Sequence, residues 1–338
     1  MKPYQYRCKD YSLLTPYLRQ YVCQPLLPLI PWAIPANIIT IISNIFIFIA
    51  LYISFTLQSG NLIQYVAIAL CLILYLIGDH LDGMQAKRTS TGSALGEFCD
   101  HYFDTFNNGI LLMITINVFE ITNHSLIAYL FTASYVAHAA VFYEQYKTGW
   151  LIFEKVGSME SVLLLAILIV LSAFEPFRNV MQTLVYQNYN LAESLFILTS
   201  FGAVITATKT LLRINKETGQ SVTRAYIMFC VWLAMVGMAS SILFPSWATF
   251  VIMTLYGSHY IGNLMRGHLV DDQERYADLI VPILLVVKFS LILPISNEMF
   301  LFGILLYQMA AILWIVVMTV RPLSVFWVWK NPKNITKV

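Results

Sequence analysis

Long apolar runs closed by short polar intervals repeat along the chain from residue 36 almost to its end. Ten can be drawn, at 36–58, 62–81, 95–119, 124–144, 158–174, 191–212, 223–243, 247–266, 276–294 and 298–320. Each is near the roughly 20 residues that a helix needs to cross a hydrocarbon core. The pattern predicts an all-α polytopic membrane bundle of about ten transmembrane helices. Pro176 and Pro245 fall at the ends of two runs, and Pro282 and Pro294 kink or end the ninth. Ahead of the first run, 11–32 is apolar but interrupted by Pro16, Pro25, Pro28 and Pro31, with Arg19 between them. That predicts a kinked N-terminal helix lying in the membrane interface. The longest intervals between runs, 145–157, 175–190 and 213–222, are too short to separate domains, and no internal repeat is present.

Composition agrees with the pattern. Hydrophobic residues make up 59% and charged residues 11% of the 338, where soluble domains carry about a quarter charged. The formal net charge of +2 is small and its basic residues are dispersed, so no nucleic-acid partner is expected. With both termini inside, nearly all Lys and Arg of the loops fall on the inner side and only Arg178 outside, which orients the bundle. Residues 1–10 carry Lys2, Arg7 and Lys9 with no apolar core directly behind them, so no cleavable signal peptide is expected there. The five cysteines are widely spaced, form no CxxC pair and read as reduced packing residues.

Against that scarcity of charge, 78–104 (GDHLDGMQAKRTSTGSALGEFCDHYFD) holds five acidic residues. Asp79 and Asp82 are three apart at the end of one run; Gly96, Asp100 and Asp104 are four apart at the start of the next, so each set shares a helix face. Four carboxylates from neighbouring helices, with only Lys87 and Arg88 nearby, repel one another without a cation. They are suited to Mg²⁺ or Mn²⁺, with two ions expected, and such ions clamp phosphate oxygens. Gly83 and Gly96 leave room for a phosphate beside the backbone, and Lys87 and Arg88 supply positive charge to it. Glu97 and His101 are spaced to pair and take a proton from an acceptor hydroxyl; Asp104 is the competing base, and an orienting role for the pair is the alternative. Asn37 and Thr40 open the first span on the same side, either to bind nucleotide or as an ordinary helix start. Glu144 and Glu160 bracket the loop after the fourth run, where they either act or merely solvate it. His259, Asn263 and Arg266 form a stripe that reaches an acceptor or satisfies the bundle interior, and mid-span Lys288 needs a Glu or carbonyl partner. Asn123-His124-Ser125 is a glycosylation sequon hugging the predicted outer face. The rival class is a cation or proton-coupled transporter using the same buried carboxylates.

The spacing Asp79-x2-Asp82-Gly83-x2-Ala86-Lys87-x8-Gly96-x3-Asp100-x3-Asp104 resembles the signature of the CDP-alcohol phosphotransferases, with Lys87 standing where Arg is usual. Leu95 to His101, Ile34 to Thr40 and Glu144 to Gly149 resemble the choline and ethanolamine branch, so the likeness covers about half of the chain. The resemblance implies transfer of phosphoethanolamine or phosphocholine from CDP-ethanolamine or CDP-choline to diacylglycerol, or to ceramide, with release of CMP. It implies metal ligands at Asp79, Asp82, Asp100 and Asp104, and substrate contacts at Asn37, Thr40, Gly83, Ala86, Lys87, Arg88 and Gly96. One membrane domain is expected over 1–338: an interfacial segment 1–35, catalytic helices 36–215, further transmembrane helices 216–320 and a cytoplasmic tail 321–338. The site is expected at the cytoplasmic face, in the endoplasmic reticulum or Golgi of a eukaryote or the inner membrane of a bacterium. A homodimer is the closed assembly to expect.

Overall fold

A computed structural model describes residues 6–186, 188–290 and 295–323. The expected tail therefore lies mostly outside the described residues, as do Lys2, Lys330, Lys333 and Lys337. A short strand β1 (Cys8–Asp10) leads into the proline-rich segment. There two short helices, α1 (Thr15–Leu18) and α2 (Gln24–Leu26), are joined by a π-helical turn and followed by a 3-10 turn. Pro16, Pro25 and Pro28 each stand in the first turn of one of these pieces, where the missing N–H costs nothing. The predicted kinked helix is thus a chain of short helical pieces, with Cys23 packed on Ile39 and Leu81 and with Tyr17, Tyr21 and Leu29 exposed.

The bundle follows: α3 (Ala36–Phe55), α4 (Leu62–Thr89), α5 (Ala94–Val118) and α6 (His124–Thr148). Next come strand β2 (Leu151–Phe153), α7 (Ser158–Leu171), α8 (Glu175–Met181), strands β3 (Leu184–Tyr186) and β4 (Tyr189–Asn190), and α9 (Leu191–Thr218). The rest is α10 (Arg224–Leu243), α11 (Ser246–Arg266), α12 (Ile280–Phe289) and α13 (Asn297–Leu323). Side chains start these helices where the sequence offers them: Asn61, Ser93, Asn123, Asn190 and Thr223 each accept a backbone N–H two or three residues on. The chain is an integral membrane protein with an all-α bundle; β1–β2 and β3–β4 are small two-stranded additions.

The ten predicted runs divide on inspection. Among the described residues α3, α4, α6, α9, α10 and α13 are long and apolar enough to cross a membrane, and α7 with α8 makes a seventh only if a 117° bend is counted as one span. Pro176, at the start of α8, lies at that break. The 25-residue α5 and 21-residue α11 have the length but carry polar groups inward, and α11 is buried over most of its surface. Among the described residues the run at 276–294 yields only the ten-residue α12, because 272–278 takes no regular structure and Asp278 accepts the Val281 N–H at 3.0 Å to begin the helix.

Helix α11 packs on α5, α6, α10 and α13, and α3 packs on α4 and α5. Glycines allow the closest approaches. A Cβ on Gly78 of α4 would lie 2.5 Å from Ser43 Cβ of α3, and one on Gly257 of α11 would lie 2.2 Å from the Tyr135 ring of α6.

Candidate active site

Helix α4 ends at Ser90, in left-handed conformation at φ 53°, and α5 begins at the Ser93 cap, whose hydroxyl accepts the Gly96 N–H at 3.0 Å. That turn sets the last third of α4 facing the first three turns of α5, with side chains rather than backbones meeting between them. One carboxylate oxygen each from Asp79, Asp100 and Asp104 then lies within 4.8 Å of the others. None of the four aspartates of the motif pairs with a lysine or arginine among the described residues; Asp79 has only His80, at 3.5 Å, and Asp100 only His101, at 3.8 Å. The Asp100 Oδ1 atom is buried without a hydrogen-bond partner. Hard oxygen donors, mutual closeness and an orphaned buried oxygen fit a divalent cation.

Asp82 adjoins the trio through Asp100. It is buried, and Thr40 Oγ1 of α3 donates to its Oδ2 at 2.5 Å. Asn37, one turn earlier on α3, lies by Gly96, whose added Cβ would come 3.5 Å from the Asn37 Oδ1. Gly83 is exposed and a Cβ there would meet open space, so the backbone is free to a large ligand. Ala86 is half-buried on the same helix and Lys87 is exposed. Arg88 turns elsewhere: its guanidinium donates to the Leu27 and Ile30 carbonyls at 2.5 and 2.6 Å and lies 4.5 Å over the Trp32 ring. It anchors the N-terminal helical pieces, which leaves Lys87 as the cation of the pair that is free to meet phosphate.

Glu97 is buried and accepts from Gln145 Nε2 of α6 at 2.6 Å. One turn on, His101 is buried, with its Nδ1 lacking a hydrogen-bond partner. His268, in the π-helical turn that ends α11, neighbours Glu97; burial lowers its imidazole below the ordinary value, while Glu97 and Asp272 act the other way. Asp104 is held by Tyr75, whose hydroxyl donates to Oδ1 at 3.0 Å, and more loosely by Asn107 Nδ2 at 3.4 Å. Tyr75, Asn107 and Gln145 escaped the sequence reading because they are neutral. Position gives the first two away: Tyr75 is four residues before Asp79 and Asn107 three after Asp104, each on the ligand's face.

Other polar candidates prove structural. Glu144 is fully buried on the Arg213 guanidinium, at 2.5 and 2.7 Å, rather than solvating a loop. Glu160 accepts the Gly157 N–H at 2.8 Å and closes the start of α7. Arg266 pairs with Asp271 at 3.3 Å, and Asn263 is buried in α11 beneath it. Lys288 donates to the Ile295 carbonyl and lies 5.8 Å from the Phe300 ring centre, which supplies the carbonyl partner it needed. Asn123 of the sequon spends its side-chain oxygen on the Leu126 N–H at 3.1 Å.

Residues 33–192 match the CDP-alcohol phosphatidyltransferase family. The chain is 30% identical over 180 residues to an uncharacterised class-I protein of that family from Schizosaccharomyces pombe, covering 51% of this chain and 46% of the relative. It is 25% identical over 243 residues to choline/ethanolaminephosphotransferase 1 of Saccharomyces cerevisiae, covering 67% and 61%. To human cholinephosphotransferase 1 it is 32% identical over 190 residues, covering 52% and 44%. The matched segment thus spans about half the length of these curated relatives. It contains every position of the motif and the three-aspartate cluster, and over it this chain is similar to the CDP-alcohol phosphatidyltransferase family.

Proposed function

We propose that the protein transfers phosphoethanolamine or phosphocholine from the CDP-alcohol to the free hydroxyl of diacylglycerol, releasing CMP at the cytoplasmic face of its membrane. The observation that carries this reading is the convergence of Asp79, Asp100 and Asp104 in a cluster that pairs with no lysine or arginine among the described residues. Asp79, Asp100 and Asp104 would hold the Mg²⁺ or Mn²⁺, with Asp82 beside them against Asp100. When bound, such ions offset the charge that builds on the pyrophosphate as CMP departs.

The chain's own residues do the remainder. Gly83 and Gly96 let the phosphates lie against the backbone, Lys87 offers an exposed ammonium, and Asn37 offers an amide beside Gly96. Glu97, steadied by Gln145, and His101, one turn along, take the proton of the attacking hydroxyl. This role suits them better than Asp104, which is committed to the carboxylate cluster and to Tyr75. Likeness to the yeast and human relatives favours this chemistry over ion transport and supports the choline or ethanolamine headgroup.

The test is CMP release by the purified chain given Mg²⁺ or Mn²⁺, CDP-ethanolamine or CDP-choline, and diacylglycerol, with ceramide as the competing acceptor. Metal-dependent release that Asp100→Ala abolishes is expected; no release from either nucleotide by the folded protein would overturn the assignment.

A further inference from the structure

The segment 6–14, expected to open the interfacial N-terminal segment, is strapped along the loop after α6. β1 pairs in parallel with β2, Cys8 opposite Leu151 and Asp10 opposite Phe153. The ladder is extended by bonds from Leu151 N to the Arg7 carbonyl at 2.9 Å, from Tyr11 N to Phe153 at 3.0 Å and from Leu13 N to Lys155 at 3.2 Å. Lys9 lies 4.5 Å over the Trp150 ring. Beyond the ladder, Ser12 Oγ and Leu14 N both donate to Glu160, at 2.5 and 3.1 Å. These bonds fix where the start of the strap goes. There the Tyr6 ring lies 5.9 Å from the His101 ring, and Phe142 of α6 lies 6.0 Å from the same imidazole. His101 is only 7% exposed while Tyr6 is 47% exposed, so the tyrosine has one side on the imidazole and another in solvent. It is a cover.

We infer that this strap keeps water from the Glu97 and His101 side of the site, with Tyr6 as the positioning residue, and so directs the phosphoryl group to a lipid hydroxyl. The inference rests on the proposed transfer. In that reaction the lipid oxygen bonds to the headgroup phosphorus, the bond to the CMP oxygen breaks, and the hydroxyl proton passes to Glu97 and His101. Water balances the same equation: its oxygen bonds to phosphorus, CMP leaves, one proton goes to the same groups, and the product is free phospho-alcohol. Water is abundant at a membrane face and lipid hydroxyl is not, so a transferase there needs a dry base.

The experiment measures phospholipid and free phospho-alcohol together, from the full chain in nanodiscs containing diacylglycerol, with Mg²⁺ and CDP-ethanolamine or CDP-choline. Tyr6→Ala should raise the ratio of free phospho-alcohol to phospholipid by about tenfold. Tyr6→Phe, which keeps the ring, should restore the parent ratio. Tyr11→Pro with Ser12→Ala removes a ladder donor at an exposed residue and the side-chain half of the Glu160 latch, leaves Tyr6 in place, and should raise the ratio as Tyr6→Ala does. A purely structural strap lowers both products together, so an unchanged ratio in both loosened variants overturns the inference while the transfer reading stands. A parent protein that makes neither product overturns both.

Discussion

Two groups of carboxylates gather at the same end of the bundle, and they are built on opposite plans. At the junction of α6, β2 and α9, Arg213 meets Glu144 with two nitrogens at 2.5 and 2.7 Å and Glu154 with a third at 2.7 Å. Nearby, Lys147 pairs with Glu274 at 2.7 Å, and Thr223 donates to the same carboxylate. Every acid in that network has a cationic partner from the chain. Between α4 and α5, Asp79, Asp100 and Asp104 converge with histidines as their nearest basic neighbours and an orphaned oxygen on Asp100. Where carboxylates join helices, this sequence supplies an arginine or lysine; where the described residues leave them without one, the proposed divalent ion takes that place.

Removing a member of each group separates the plans. Asp100→Ala should cost about a thousandfold or more in CMP release, since a bound metal contributes several kcal/mol of transition-state stabilisation, while the protein still elutes as a folded species in detergent. Arg213→Leu should leave activity per folded molecule nearly unchanged but lower stability by about 3 kcal/mol, because Glu144 is then buried without its partner. Pairing it with Glu144→Gln should recover most of that loss in a thermal melt. Added Mg²⁺ at a hundred times its Kd should stabilise the parent by about 2.7 kcal/mol and raise its melting temperature, with no shift in Asp104→Asn. An equal shift in that variant would place the ion elsewhere. The smallest effect is Tyr75→Phe, which should lower turnover about tenfold by releasing one constraint on Asp104 and leave the melt near the parent's.

The two groups also differ in how well the sequence announced them. The aspartates declared themselves through like charges at helical spacing in an apolar setting, and the structure brings three of the four to a point. Glu144 gave no such signal, because Arg213 is 69 residues away and nothing local joins them. Arg88 misled for the same reason: its partners are the carbonyls of Leu27 and Ile30, which periodicity does not pair with a motif residue. Among the helices, uniformly apolar runs such as α3 and α13 were plain. The polar faces of α5 and α11 were less so, because apolar length marks a lipid-facing helix better than one facing other helices. The β1–β2 pairing was illegible, since two three-residue strands separated by six helices leave no periodic trace.

Gly78 sits against Ser43 so closely that a methyl group there would clash at 2.5 Å, and the next residue along α4 is Asp79. The first aspartate of the cluster therefore grows from the point where α3 and α4 come closest, which fixes the two helices together at that level. The facing helix α5 packs on the same α3, so the spacing of the two aspartate-bearing helices is set through α3. Gly78→Ala should accordingly wedge α3 and α4 apart and shift the nucleotide KM, although residue 78 itself touches no substrate.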